Sequence, residues 1–174
     1  MKNSHWQEEF RAIYTAGAEA YKGGKRTPGG MFDATQKASL ATIGCSTQEL
    51  FDFVEDSLRY GEPDYDTALL ITSVRRDYFL QVQKGVLSTR LIDMDRLPAK
   101  SAAVAGIVWL PRVIQKAYAK LRGEMPPELM YCCGGDREFF ERVNIHPADF
   151  LRYAWSAGDD QDRIVRFVQN GGRP

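Results

Sequence analysis

The sequence predicts one compact domain that is all-α, or mainly α, with about seven helices and a long central connection. Apolar residues recur at three- and four-residue steps in several segments, and glycine or proline separates those segments. The chain has 174 residues, of which 44% are hydrophobic, so it is long enough to bury a sizeable core. We therefore expect residues 1–174 to form a single helical domain.

The first helix is predicted by apolar residues at helical spacing from Trp6 to Tyr21, and Gly23 ends the pattern. Residues 22–30 contain four glycines, one proline and three basic residues, a composition typical of a loop. A short helix is expected next, over residues 32–42.

A capping box gives the clearest helix start in the chain. Ser46 is followed three residues later by Glu49, and this spacing lets each side chain bond to the other residue's backbone N–H. The helix is expected to run to about Tyr60 and to bury Leu58 on its apolar face.

Residues 66–83 fit two patterns. A helix would place four apolar or aromatic residues on one face, namely Leu70, Val74, Tyr78 and Val82. Residues 78–83 also alternate as in a strand. The helix is preferred, with Asp64 or Asp66 as its N-cap, and the strand is the alternative.

The C-terminal half begins with a long connection over residues 84–106, which could include a short extended piece. Pro111 lies where a helix places its first residue, and Gly123 follows the last residue of its apolar face. The helices expected after it are residues 137–143, residues 147–157 starting at His146-Pro147, and a last one capped by Asp159 or Asp160.

Composition excludes several classes of function. The 23 basic and 23 acidic residues give no net charge, which argues against nucleic acid as a partner. The longest apolar run, residues 102–110, is too short to span a membrane, and residues 1–7 lack the apolar core of a signal peptide. Three cysteines without paired spacing indicate reduced thiols. We expect a cytoplasmic monomer or weak homodimer without a cofactor.

Three segments of the C-terminal half carry a family resemblance. They are Trp109–Gly123, with Leu-Pro-Arg at residues 110–112; Tyr131–Phe140, with Tyr-Cys-Cys-Gly-Gly-Asp at its start; and Ile145–Phe150. In this order they resemble the bacterial family known as Domain of Unknown Function 5069, most strongly over residues 107–170. The resemblance implies a small, soluble, largely helical protein, and it supplies no reaction, substrate or cofactor. The motif-bearing surface that it implies includes Arg112, Lys116, Tyr131, Cys133 and Asp136.

A line of positive charge runs along the helix that starts near residue 110. Arg112, Lys116 and Lys120 are four residues apart, and like charges at that spacing repel. This repulsion could be relieved by solvent or by packing against the acidic segment 44–66, which has seven acidic residues and one basic residue. The alternative is that an anionic ligand, held by Arg112 and Lys116, compensates the positive charge.

The Cys132–Asp136 turn is the most chemically suggestive stretch of the sequence. Gly134 and Gly135 precede a predicted helix, so backbone N–H groups could converge there on an anion or a thiolate. Cys133 is the candidate reactive thiol because it is closer to the expected helix start. The structural alternative makes Asp136 an ordinary helix cap and the glycines part of a tight turn.

Two further groups are weighed in the same way. Arg75 and Arg76 lie in an otherwise apolar segment, and buried arginines require partners. Those partners are either acidic residues of segment 44–66 or an anion that Arg76 holds together with Arg112. A zinc site is not expected, because the cysteines and histidines lack ligand spacing; they are Cys45, Cys132, Cys133, His5 and His146.

The favoured function is therefore a binding module for a small anionic ligand or an acidic protein segment. Its predicted contacts are Arg76, Arg112, Lys116, Tyr131, Gly134, Gly135 and Asp136. One alternative is a thiol-dependent enzyme or redox protein that uses Cys133. The other is a structural or interaction protein without a ligand.

Overall fold

The computed structural model describes residues 5–173. Residues 1–4, part of the stretch in which no signal core was expected, lie outside the described residues. Within that range the chain forms nine α-helices, one 3-10 helix and a sheet of two short strands. The prediction of a mainly helical fold is confirmed.

The chain divides into two compact units, with the boundary between residues 87 and 88. The first unit contains α1 (Trp6–Lys22), α2 (Pro28–Met31), α3 (Ala34–Thr42), α4 (Thr47–Tyr60) and α5 (Tyr65–Gln81). The second contains a 3-10 helix (Met94–Arg96), β1 (Ala103–Val104), β2 (Ile107–Val108), α6 (Leu110–Arg122), α7 (Gly134–Val143), α8 (Pro147–Ala157) and α9 (Gln161–Gln169). The boundary falls inside the connection predicted over residues 84–106, where no linker composition marks it.

Helix α4 starts and ends as predicted. The Ser46 hydroxyl accepts from Glu49 N (3.1 Å), and Ser46 N donates to Glu49 Oε2 (2.7 Å). Gly61 ends the helix in the left-handed conformation at φ 80°, which glycine adopts without a Cβ clash. The predicted burial of Leu58 is wrong: this side chain is 40% exposed, because the buried residues of α4 all lie between residues 50 and 54.

The loop predicted over residues 22–30 contains the start of a helical turn. Thr27 caps α2, accepting from Gly30 N (3.3 Å), and Pro28 occupies the first helical position. Helix α3 begins at Ala34 rather than residue 32, because Asp33 and Gln36 form a second capping box.

Residues 65–81 form a helix, so the preferred interpretation of this segment is confirmed over the strand. Asp64 is the N-cap and accepts from Thr67 N (2.8 Å). The predicted apolar face is confirmed at Val74, which is buried, and is wrong at Leu70 and Val82, which are 45% and 48% exposed. The buried residues of α5 are instead Ala68, Ile71, Thr72, Val74, Arg75 and Phe79.

The long connection contains a small hairpin. Ala103 pairs with Val108 and Val104 with Ile107 in antiparallel register. The turn between them places Ala105 and Gly106 at φ 49° and 76°, as two-residue hairpin turns with matched twist require.

Each unit buries its own core. In the first unit the core is built mainly from α1 to α4 and includes Phe10, Ile13, Leu40, Leu50 and Val54. In the second, α8 packs against α6 and α9, and Phe139, Phe140 and Phe150 form a cluster of edge-to-face rings 5.4–6.4 Å apart. His146 and Asp160 cap α8 and α9 as expected.

None of the helices within residues 5–173 combines the length and apolar character that a membrane span requires.

Candidate functional site

The cysteine turn, defined here as residues 131–136, leads into helix α7. The helix begins at Gly134, with Cys133 as its N-cap, instead of at residue 137. The interpretation of Asp136 as the helix cap is therefore wrong, because Asp136 occupies the third helical position. Its buried carboxylate accepts hydrogen bonds from Trp109, Lys116 and Cys132, which all lie outside the helix. Because the carboxylate is held by these donors, the helix starts two residues before Asp136.

Asp136 is the centre of a buried polar network. Its Oδ1 accepts from Trp109 Nε1 (2.9 Å), and its Oδ2 accepts from the Cys132 backbone N (2.9 Å) and from Lys116 Nζ. Asp136 is 0% and Lys116 1% exposed. A buried ion pair is stable only when its remaining hydrogen-bonding capacity is also used, and here both carboxylate oxygens have donors.

Lys116 also contacts Cys133. Its Nζ lies 3.3 Å from Cys133 Sγ, so the ammonium is held between a carboxylate and a thiol. The sequence predicted that solvent, the acidic segment 44–66 or an anionic ligand would offset the charge of Lys116. Solvation is excluded by its burial, and the offset comes from Asp136.

The two adjacent cysteines have different surroundings. Cys132 is buried, whereas Cys133 is partly exposed. Burial, reinforced by the Asp136 carboxylate, raises the pKa of Cys132 to about 12. Cys45, in the first unit, is also buried. Cys133 is thus the accessible thiol of the three in the chain.

The two glycines of the turn have separate roles. A Cβ on Gly135 would lie 2.6 Å from Trp109 Cζ2, so the indole packs directly on the backbone there. A Cβ on Gly134 would meet nothing closer than Arg137 Nη2 at 3.8 Å. Trp109 was not among the predicted site residues, although its place directly before Leu110-Pro111 is a sequence signal that could have suggested it. In the structure it is the N-cap of α6, at φ 77°.

Tyr131 anchors the turn. Its ring is buried, and its hydroxyl donates to the Pro147 carbonyl (2.8 Å) at the start of α8. Burial raises the pKa of Tyr131 well above its ordinary value. Tyr131 therefore lies beside the predicted site residues with its hydroxyl already engaged.

The remaining basic residues occupy different places. Arg112 Nη1 donates to the Pro98 carbonyl (2.7 Å), and its guanidinium lies 5.9 Å from the Trp109 ring centre. Lys120 is buried. Arg76 belongs to the first unit, where it pairs with Asp77 (3.6 Å) and lies over the Trp6 ring. A shared anion between Arg76 and Arg112 stays a prediction.

Across the described part of the chain, His, Cys, Asp and Glu side chains form no group of three or more that could hold a metal ion. No family model, curated protein or solved structure matches the chain. Membership of the family known as Domain of Unknown Function 5069 therefore stays a prediction.

Proposed function

We propose that the cysteine turn is a site of thiol chemistry in which Cys133 supplies the reacting sulfur. The observation that carries this proposal is the 3.3 Å contact between Lys116 Nζ and Cys133 Sγ. Reactive cysteines occur in electropositive, partly exposed surroundings, and Cys133 is the partly exposed thiol of the chain.

Two features favour negative charge on this sulfur. The Lys116 ammonium donates directly to it. Cys133 is also the N-cap of the ten-residue helix α7, where the aligned peptide dipoles place positive partial charge. Asp136 opposes this effect through its own charge, and at the same time it fixes the ammonium in place. Lys116 thus stabilises the anion, and Asp136 positions Lys116.

The chemistry that fits is attack of the Cys133 thiolate on a small electrophile or disulfide. With a small-molecule disulfide, a bond forms between Cys133 Sγ and one sulfur, and the other sulfur leaves as a thiolate. Cys45 and Cys132 are buried, so neither is accessible to resolve the mixed disulfide. An external thiol would be needed to release it.

The test is the rate of alkylation by iodoacetamide from about pH 5 to about pH 10, followed for Cys133 by peptide mass spectrometry. We expect Lys116→Met to slow alkylation at neutral pH, because the variant lacks the ammonium that contacts the sulfur. Lys120→Met is the matched control, because Lys120 is equally buried one turn further along α6. Equal profiles for the wild type and Lys116→Met would refute the proposal.

A second candidate is binding of a small anion or an acidic protein segment at the same turn. The observation that favours it is that the Cys133 side chain makes no capping hydrogen bond, so the first amides of α7, at Gly134 and Gly135, have no side-chain cap. Under this proposal small anions shift the backbone N–H resonances of Gly134 and Gly135, and Arg112→Ala abolishes this shift.

The third function class makes the turn purely structural. It predicts that Cys133→Ser is silent in every functional assay while Gly135→Val unfolds the protein, since residue 135 has no room for a side chain beside Trp109.

A further inference from the structure

Arg75 is a fully buried cation with most of its hydrogen-bonding capacity unused. It lies on α5 in the first unit and is 0% exposed. Its Nη1 donates to Gln83 Oε1 (2.7 Å). Its Nε and Nη2 are buried and have no hydrogen-bond partner among the described residues.

Neighbouring charges do not compensate for this burial. Desolvation lowers the pKa of Arg75, and the opposing influence of Glu49 and Cys45 is smaller. A guanidinium nevertheless stays protonated in proteins, because its ordinary pKa lies above about 12. A buried positive charge is costly unless it is paired and hydrogen-bonded, and the Gln83 amide is neutral.

The open donors have a specific shape. Nε–H and one Nη2–H form one edge of the planar guanidinium and point in the same direction, and this edge matches the two oxygens of a carboxylate or a similar oxyanion. Thr72 precedes Arg75 by three residues on the same helix, so it lies on the same face. Its hydroxyl is also buried without a partner and would add a third donor.

The guanidinium is held in place from other sides. Gln83 binds its Nη1 edge, and the Phe79 ring centre lies 5.3 Å from its central carbon. Phe79 is packed in turn against Gly44, where a Cβ would lie 2.7 Å from the ring. Because these contacts fix the guanidinium before any ligand arrives, the open edge is preorganised.

We propose that Arg75 and Thr72 form a binding site for a small oxyanion, either a carboxylate or an inorganic anion of similar planar shape. Complete burial of both side chains limits the ligand to a few atoms. This site lies in the first unit and is independent of the thiol chemistry proposed for Cys133.

The test is thermal unfolding of the full chain in formate, acetate, nitrate and chloride, starting from a buffer that is low in small anions. We expect the Tm of the wild type to rise with the logarithm of formate or nitrate concentration. We expect a smaller rise in chloride, which lacks two oxygens. A response to both carboxylates and not to nitrate identifies an organic acid as the source, and a response to nitrate and not to the carboxylates identifies an inorganic oxyanion. Equal responses show that the site recognises the planar pair of oxygens that these anions share.

Arg75→Met should abolish the response, whereas Arg59→Met, which removes an exposed arginine of α4, should leave it unchanged and report general salt effects. Arg112→Ala should also leave it unchanged, which separates this site from the cysteine turn. Equal responses in the wild type and Arg75→Met, or no response in the wild type, would overturn the proposal.

Two measurements keep the test decisive if Arg75→Met does not fold. The first is the Arg75 Nε–H resonance of the wild type, which should shift saturably with formate. The second is Thr72→Val, which keeps the side-chain shape and should weaken formate binding about tenfold, as loss of a hydrogen bond to a charged group does. An unmoved resonance, or unchanged affinity in Thr72→Val, contradicts the proposed site.

Discussion

The indole of Trp109 packs directly against the backbone of Gly135 in the cysteine turn. A Cβ at residue 135 would lie only 2.6 Å from the Cζ2 atom of this indole. This close approach brings the indole N–H to within 2.9 Å of Asp136 Oδ1. The absence of a side chain at residue 135 thus gives the buried carboxylate one of its donors.

Gly135→Ala should therefore lower the free energy of unfolding by about 1–3 kcal/mol, as overpacking of a filled site does. Gly134→Ala is the matched control, because a Cβ there would meet only Arg137 Nη2, at an ordinary contact distance of 3.8 Å, and alanine favours the helix. Urea unfolding of both variants measures the difference. Equal stabilities would show that the Trp109 contact places no steric limit on residue 135.

Asp136→Asn should destabilise the protein by about 3–5 kcal/mol, because it leaves the fully buried Lys116 ammonium without its carboxylate. Combining it with Lys116→Met removes the stranded charge, so the double variant should be more stable than the sum of the single effects predicts. The measurement is a double-mutant cycle by urea unfolding. Simple additivity would mean that the two charges do not interact.

Stability should fall as pH rises from about 9 to about 12, in part through Cys132. The unfolded thiol ionises near pH 9, while the folded one keeps its proton to about pH 12. The unfolded state therefore binds fewer protons in this window, and ionisation favours unfolding. Cys132→Ala should make the fall in stability with pH shallower than in the wild type. The buried tyrosines contribute equally to the curves of the two proteins. Parallel curves would contradict the raised pKa.

Glutathione disulfide should modify the native chain once, at Cys133. Cys45 and Cys132 are buried, so they should react only after unfolding in urea. Peptide mass spectrometry of the two samples locates the adducts. Modification of Cys132 at the rate of Cys133 in the native protein would conflict with the burial of Cys132.

Local signals in the sequence predicted local structure well. The Ser46 and Glu49 capping box marked the start of α4 because both hydrogen bonds are made within one turn of chain. Gly61 and Gly123 marked the ends of α4 and α6 because a helix end is also a local structure. Each glycine adopts the left-handed conformation there, and its backbone N–H bonds to carbonyl groups of the last turn.

Interactions between distant residues could not be predicted in the same way. Lys116 and Asp136 are twenty residues apart. Nothing in either segment indicates that the lysine is buried, or that the Asp136 carboxylate binds residues of another helix instead of capping its own. The buried face of α5 was predicted only in part, at Val74, for a related reason: this face also carries Thr72 and Arg75, whereas hydrophobic periodicity can only select apolar residues.

The number of residues between Trp109, the N-cap of α6, and Lys116 within α6 is constrained by the Asp136 network. Trp109 and Lys116 are seven residues apart, close to two full turns at about 3.6 residues per turn, so each supplies a donor to Asp136, the indole to Oδ1 and the ammonium to Oδ2. Insertion or deletion of a single residue between them would rotate one relative to the other by about 100°. The carboxylate would then lose one donor. The Asp136 network thus fixes the number of residues between Trp109 and Lys116, a constraint separate from the burial of Leu110, Val113 and Ile114.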